Sequence, residues 1–386
     1  MEEVAVVGWA QTGHERAKSR QTHQSMIYEV VTRALDSCSM TIRNIDVVIS
    51  AGSDFLDGRV MSTCMTLDAM GAHFKEESKV AGDGLLAAIH AFMRVSSGLF
   101  SSALVVGYGK SSESSVIEQT RTMAEPFFLR PLGLDALTAG ALQARAYMHH
   151  YGIDRESSAL VAVKNRASGA RNSNAQLRGE VTLEEVTSSE ELVSPIRRLE
   201  ACPVTDGACA VVLADEPLAR SLGVRPAWIT GVGLSSDQYS PGARALHRAD
   251  SARRSARRAY DMAGIYDPVS ELDVLEVSEY YAYQELMLYE ALGLCGDGEG
   301  AAFLESGAPA TGGGTPVNPS GGVLCANPLV ATGLVRLAEA AAQVSNRAGD
   351  IQVEGARKAL AHAGGGFAMQ TGACVVVERK YEGKSG

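Results

Sequence analysis

No run of lysine or arginine stands out in this chain, and its net charge of −10 argues against nucleic acid as the main partner. No apolar stretch reaches the length needed to span a bilayer, so no membrane partner is expected. The opening Met1-Glu2-Glu3-Val4 is acidic and runs straight into a strand-like segment. It lacks the pattern of a cleavable signal, so a cytoplasmic protein is expected. No Cys-x-x-Cys pair occurs, and the seven cysteines (Cys38, Cys64, Cys202, Cys209, Cys295, Cys325, Cys374) are scattered and odd in number. That excludes a full disulfide framework and makes a buried thiol the expectation for each. Carboxylates and cysteines at ligand spacing are missing around His149-His150, which therefore reads as surface and not metal site.

What is present is ordinary for a globular protein: 46% hydrophobic and 21% charged residues over 386 positions. That length supports one large domain or two medium ones. The organising stretch is Lys79-Val80-Ala81-Gly82-Asp83-Gly84, followed by the apolar run Leu85, Leu86, Ala87, Ala88, Ile89, Ala91, Phe92 and Val95. The run predicts a buried helix entered through a glycine-rich turn. Such an entry gathers free backbone N–H groups and the positive end of the helix dipole, which suits a nucleophile or an oxyanion. Ala81 stands at that spot and has no chemistry.

Strand-like segments at Val4–Gly8, 45–52 and 103–107 alternate with helical ones near 26–37 and after Ala81, which predicts an α/β fold with a parallel or mixed sheet. Residues 54–79 read as irregular and Met-rich. The second half repeats the first. Arg33-Ala34-Leu35-Asp36 with Ile45-Asp46-Val47-Val48 returns as Arg258-Ala259-Tyr260-Asp261 with Leu272-Asp273-Val274-Leu275. Gly207-Ala208-Cys209-Ala210-Val211-Val212 returns as Gly372-Ala373-Cys374-Val375-Val376-Val377. The first copy carries an insertion, with helices expected at 133–151 and 157–171. An insertion that long reads as a lid or binding subdomain.

Asn318-Pro319-Ser320-Gly321-Gly322, then Asn327-Pro328 and Ala331-Thr332-Gly333, resembles the thiolase stretch Asn-x-Ser-Gly-Gly … Gly-His-Pro-x-Gly-Ala-Thr-Gly. Val277-Ser278-Glu279-Tyr280-Tyr281, with Glu285 and Ala291-Leu292-Gly293-Leu294, resembles the His-Asp-x-Phe region of the sterol-carrier-protein type. Gly364-Gly365-Gly366 matches the final glycine loop. The resemblance to the thiolase superfamily covers essentially the whole chain. It implies an α/β thiolase fold: two pseudo-repeated βαβαβαββ units, a layered α-β-α-β-α core and an inserted loop domain. The boundaries expected are 1–111 with 203–222 for the first half, 112–202 for the insertion and 223–386 for the second half.

Thiolase chemistry needs a cysteine thiolate, a second Cys or His to move protons, and donors for an oxyanion. By resemblance, Ala81 takes the place of the nucleophilic cysteine, Ser278 and Asn327 take the places of the two histidines, and His362 falls at about the last cysteine. Asp83 reads either as an N-cap or as a pocket base. Asn327 can donate through its amide to a thioester oxygen, and His362 can serve as acid or base. Tyr280 lies near a position where thiolase-like aldolases, which also lack the cysteine, carry a tyrosine. Glu279 is expected to brace the loop and Tyr281 to pack in the core; Cys325 reads as a core thiol or a pocket one.

The resemblance implies a coenzyme A thioester as substrate, with neither a metal nor a nucleotide redox cofactor. Arg130, Lys164 and Arg166 are candidates for the CoA phosphates, set against the reading of charges on a solvated helix face. Two functions follow: a C–C bond step on acyl-CoA without a covalent acyl intermediate, or a silent CoA-binding subunit. The expected partners are a thiolase-type dimer mate, a cysteine-bearing paralogue, or a small zinc-ribbon/OB-fold acyl-CoA-binding protein.

Overall fold

The computed structural model describes residues 2–54 and 61–380. The first half runs β1 (Val4–Gln11), α1 (His23–Asp36), β2 (Val47–Gly52), α2 (Thr63–Met70), β3 (Glu76–Ala81), α3 (Gly84–Ser96) and β4 (Ser102–Lys110). Between β4 and the returning strand lie α4 (Val116–Met123), α5 (Ala136–Tyr151), α6 (Arg155–Gly169), α7 (Leu183–Ser188), β5 (Glu191–Val193) and β6 (Ile196–Arg197). Then follow β7 (Asp206–Asp215), α8 (Glu216–Ser221), β8 (Ala227–Ser236), α9 (Asp250–Ala263), α10 (Pro268–Glu271) and β9 (Val274–Glu276). The chain closes with α11 (Ala282–Ala291), α12 (Gly300–Glu305), α13 (Gly322–Cys325), α14 (Thr332–Val344), β10 (Lys358–Gly365) and β11 (Thr371–Glu378).

Nine strands form one mixed run, ordered β3-β2-β4-β7-β1-β8-β11-β10-β9, and β5 pairs with β6 apart from it. The repeat is visible in it, since β3-β2-β4-β7-β1 is the first copy and β8-β11-β10-β9 the second. Among the described residues, the strands of the two copies pair through Ala5 with Trp228 and Val6 with Ala227.

Period-2 alternation separates the layers. Val4 and Val6 of β1 face a central cluster, while Ala5 and Val7 face an outer one under α1. On β11, Ala373, Val375 and Val377 face the centre; Cys374 and Val376 face the outer cluster that includes α9 and α11. The central layer is α3 with α14, whose residues are buried along its whole length. The order is therefore helix, sheet, helix, sheet, helix, as expected from the sequence.

Small residues set the closest contacts. A Cβ on Gly233 of β8 would lie 1.9 Å from the Ser255 carbonyl oxygen, so α9 lies almost against the sheet. The Ser/Ala face of α9 (Ser251, Ala252, Ser255, Ala256, Ala259) makes that approach sterically open. At Gly84, a Cβ would meet Leu334 Cβ at 2.6 Å, which draws α3 and α14 together at their first turns.

The stretch 54–79 needs correcting. Residues 55–60 lie outside the described ones, but 63–70 is helix and 76–81 is strand. Thr66, Ala69 and Met70 give α2 a one-sided buried face, closed by Gly71 in the left-handed conformation. β3 pairs in parallel with β2 alone and is an edge strand, so Glu76, Glu77, Ser78 and Lys79 carry no apolar pattern. The expected glycine-rich helix entry starts later than the sequence suggests. Ala81 ends β3, and Gly82 makes the turn with φ +132°, a value closed to most L side chains.

Candidate active site

Two central helices begin at one point. Asp83 is the N-cap of α3, and its Oδ1 accepts from Leu85 N at 2.8 Å. Its Oδ2 accepts from Gly333 N, in the first turn of α14, at 2.9 Å. One carboxyl therefore serves the N-termini of both helices. Gly333 must be glycine for this, because a Cβ there would lie 1.9 Å from Asp83 Oδ1 and 2.6 Å from Ala363 Cβ. Burial pushes Asp83 up to about 7, opposed by its two backbone hydrogen bonds and by the charge of Arg336. The cap is thus a carboxyl that titrates near neutrality.

The neighbouring residue of α14 holds a second polar side chain. Thr332 Oγ1 donates to Asn327 Oδ1 at 2.9 Å, and Asn327 Nδ2 points to Cys202 Sγ at 3.2 Å. The Asn327 backbone N–H is held by Thr205 Oγ1 at 3.0 Å. Cys202 is tied by its own N–H to the Tyr280 carbonyl, at 2.9 Å. The Tyr280 hydroxyl donates to the Gly364 carbonyl at 3.1 Å. Burial raises that phenol well above its ordinary value, and the charges of Asp83, Cys202 and Glu279 add to the rise. Asp83, Tyr280, Cys202 and Asn327 thus form one constellation. Neither Cys202 nor Thr332 was given a role from sequence, although Thr332 stands in the Ala331-Thr332-Gly333 motif and Cys202 lies just before the Gly207-Ala208-Cys209 repeat.

The motif glycines and polar residues support this site from behind. Asn318, with φ +54°, receives the Val277 N–H on Oδ1 and donates from Nδ2 to both Glu279 and Glu285 at 2.8 Å. Asn165 donates to the same two carboxyls, at 3.0 and 2.6 Å. A Cβ on Gly322 would lie 2.2 Å from Glu279 Oε1. Ser320 Oγ donates to Glu276 at 2.6 Å, and Arg336 pairs with Glu276 at 2.9 Å. Burial raises Glu279, Glu276 and Glu339; the charge of Glu285 adds to the first and that of Glu339 to the second. Glu279 therefore braces the loop, fully buried, as the sequence suggested.

The remaining expected residues are placed as follows. Ala81 is exposed at the end of β3, next to the site but without a functional group. His362 is fully buried, and neither ring nitrogen has a hydrogen-bond partner. On β10, Ala361 and Ala363 face the central helices and Leu360 the outer cluster, so alternation turns His362 away from Asp83. Burial lowers His362 to about 3, so it is neutral. Ser278 is buried with its hydroxyl unpartnered. Cys325 is a core thiol, donating to the Asn165 carbonyl at 3.3 Å. Tyr281 stacks on Tyr283, its ring against Gly140 of α5.

Lys164 is neither on a solvated face nor open to a phosphate. Its ammonium is 2.8 Å from buried Glu285 and 2.7 Å from the Val317 carbonyl. The helix turns Lys164 inward beside Asn165, which charge alone did not reveal. Arg130 is exposed and donates to the Thr122 and Ala124 carbonyls; Arg166 is half-buried and donates to Gly179. His150 stacks on His247 at 3.9 Å, and among the described residues no group of three or more His, Cys, Asp or Glu could hold a metal ion. No helix among them is long and apolar enough to cross a membrane.

Burial raises the Cys38 thiol to about 11 and those of Cys202, Cys295, Cys325 and Cys374 to about 12. None of these five is a ready thiolate near neutral pH.

A layered αβαβα core with two repeated halves, whose paired central helices begin at a polar cluster, defines a thiolase-type protein. Residues 233–378 match the family "Thiolase C-terminal domain-like". An acetyl-CoA acetyltransferase of Methanothermobacter thermautotrophicus is 30% identical over 383 residues, covering 95% of this chain and 97% of that protein. Human sterol carrier protein 2 is 33% identical over 225 residues, 56% of this chain and 41% of that longer protein. Among solved structures, the chain titled "Ltp2-ChsH2(DUF35) aldolase" superimposes with a TM-score of 0.87 over 98% of each chain, at 24% identity. The chain belongs to the thiolase family.

Proposed function

We propose that this protein binds a coenzyme A thioester and cleaves or forms a C–C bond beside the thioester without a cysteine nucleophile, in the manner of a retro-aldol reaction. The observation that carries this reading is Asp83, a carboxyl titrating at about 7 among the central helix N-termini, with Ala81 where the family's thiolate would stand. In the cleavage direction, Asp83 takes the proton of a β-hydroxyl group. The Cα–Cβ bond breaks, leaving a carbonyl product and the thioester enolate. The Asn327 amide donates to the enolate oxygen, and Tyr280 bounds the pocket beside both. The enolate carbon then takes up one proton, the one Asp83 accepted, directly or through water; this gives the shorter acyl-CoA and returns the carboxylate. Exposed Arg130 and half-buried Arg166 remain candidates for the CoA phosphates.

The test is turnover of β-hydroxyacyl-CoA thioesters by a variant in which the cysteines that are not fully buried are replaced, Cys64 and Cys295 by alanine and Cys202 by serine, which keeps an acceptor for the Asn327 amide. Turnover within about tenfold of the parent is expected. Thiolysis activity that disappears in this variant would sink the cysteine-free reading.

The assembly part of the proposal rests on two surfaces. β3 is a sheet edge, which suits pairing with a second thiolase-type chain, this one or a cysteine-bearing paralogue. The insertion also displays Phe127 and Phe128 at 79% and 78% exposure, with Ile117, Met123, Leu132 and Leu142 exposed nearby. The Glu125 carboxylate fixes that turn by accepting from the N–H groups of Phe127 and Phe128, at 2.9 and 2.6 Å. Rigidly presented aromatic pairs of this kind are typical anchors for a partner protein, here of the small zinc-ribbon/OB-fold type. Replacing both phenylalanines by serine should weaken capture of that partner by about a hundredfold or more in a pull-down titration, with the melting temperature unchanged. If the chain alone shows no turnover and gains thiolysis only with a cysteine-bearing partner, it is the silent CoA-binding subunit.

A further inference from the structure

We propose that Thr332 is a positioning residue that locks the Asn327 amide with its NH2 group toward the reacting thioester. The inference rests on the reading above, in which Asn327 donates to the thioester oxygen. A side-chain amide has two orientations of nearly equal shape, one presenting two donors and the other an acceptor. Only the first stabilises negative charge on an oxygen. A site using asparagine for this purpose therefore needs something that distinguishes the amide oxygen from its nitrogen.

Thr332 supplies the distinction. It is 1% exposed, and its hydroxyl lies 2.9 Å from Asn327 Oδ1. Among the described residues, that oxygen is the acceptor found for the hydroxyl proton. Turning the amide over would let the hydroxyl oxygen accept from the NH2 group but would leave the buried hydroxyl proton without that acceptor, an unsatisfied donor that disfavours the flipped form. The other side of the amide agrees. Cys202 Sγ, 3.2 Å from Nδ2, is a weak acceptor and takes one of the two amide protons. The second proton is left for a substrate oxygen. Thr205 fixes the backbone of the same residue from its N–H, so Asn327 cannot swing as a whole.

The placement is economical in sequence. Thr332 and Gly333 are the first two residues of the organised turn of α14: one holds the oxyanion donor, the other holds the base Asp83. Thr332 is not the cap of its helix, because the N-cap position is Ala331 and its side chain makes no cap hydrogen bond. Its hydroxyl is therefore available for the Asn327 contact.

Thr332→Val keeps shape and removes the donor, while Thr332→Ser keeps the donor and removes a methyl group. Both are compared with the unmodified protein and with Asn327→Ala for kcat, KM and melting temperature. The calorimetric Kd for an acyl-CoA thioester is read on the same samples. T332V should lose about tenfold to a hundredfold in kcat, with KM changed less than about threefold, and T332S should stay within about threefold of the parent. If no substrate turns over, the calorimetric Kd for a CoA thioester analogue carrying an anionic oxygen in place of the enolate oxygen carries the test: weakening in T332V but not in T332S is expected. Folded T332V with parental kcat, KM and Kd overturns the proposal, as does T332S falling as far as T332V. Asn327→Ala with parental kcat and Kd removes the reading of Asn327 instead.

Discussion

Replacing Asp83 with asparagine should lower kcat by about two to four orders of magnitude, the usual contribution of a positioned general base. The acyl-CoA Kd should change far less, because no phosphate or pantetheine contact is assigned to this carboxyl. The pH profile separates a base from a mere cap. The base must be ionised to act, so kcat/KM in the unmodified protein should rise with pH and level off above about 7. Stability should run the other way. Burial raises the folded-state value of Asp83 above that of the unfolded chain, near 4. The folded form therefore binds the proton more tightly, and this contribution is full below about 4 and lost as pH rises through about 7. Asp83→Asn should flatten both slopes. A variant that retains parental kcat across this range would show that the carboxyl only caps the helices.

Arg336→Met should be the most destabilising single change in the core. The guanidinium is 2% exposed and pairs with fully buried Glu276, itself bonded to Ser320. Removing one partner of a buried pair costs about 3–5 kcal/mol, because the remaining charge is left uncompensated. Glu276, Glu279, Glu285 and Glu339 face Arg336 and Lys164 as the cations of this cluster among the described residues. Arg336 holds Glu276, Glu279 and Glu339 down against burial. Without it their values climb further, so the loss should be largest at alkaline pH and shrink near pH 5, where these carboxyls bind protons. Denaturant titrations of both proteins at pH 5 and pH 8.5 measure this. Equal losses at the two pH values would show that Arg336 acts through packing and not through charge.

Much of this was legible in the sequence, for identifiable reasons. The repeated strand motifs carry their own alternation, so Gly207–Val212 and Gly372–Val377 read as paired buried strands without further help. Asp83 was visible as a cap because an acidic residue before an apolar run marks a helix start. That it caps two helices was not, since Gly333 lies in the other half of the chain. Cys202 and Asn327 are likewise joined only by the fold. β3 escaped notice because an edge strand needs no apolar face. The Lys164 ammonium looked solvated because a one-dimensional pattern cannot show a buried carboxylate waiting opposite it. For His362, motif position suggested a pocket residue, whereas the pleat of β10 sends its ring to the other side of the sheet.

The convergence of both central helices on one carboxyl has a consequence for how the two copies have been free to diverge. Neither copy contains a site. The first supplies the Asp83 carboxyl, and the second supplies the Gly333 N–H, the Asn327 amide and the Thr332 hydroxyl bonded to it. An ancestral single unit would have had to meet another of its kind to assemble such a centre. With two paired residues joining β1 to β8, the contact of α3 with α14 also ties the halves together at this centre. The site is then an assembly joint as much as a reaction vessel.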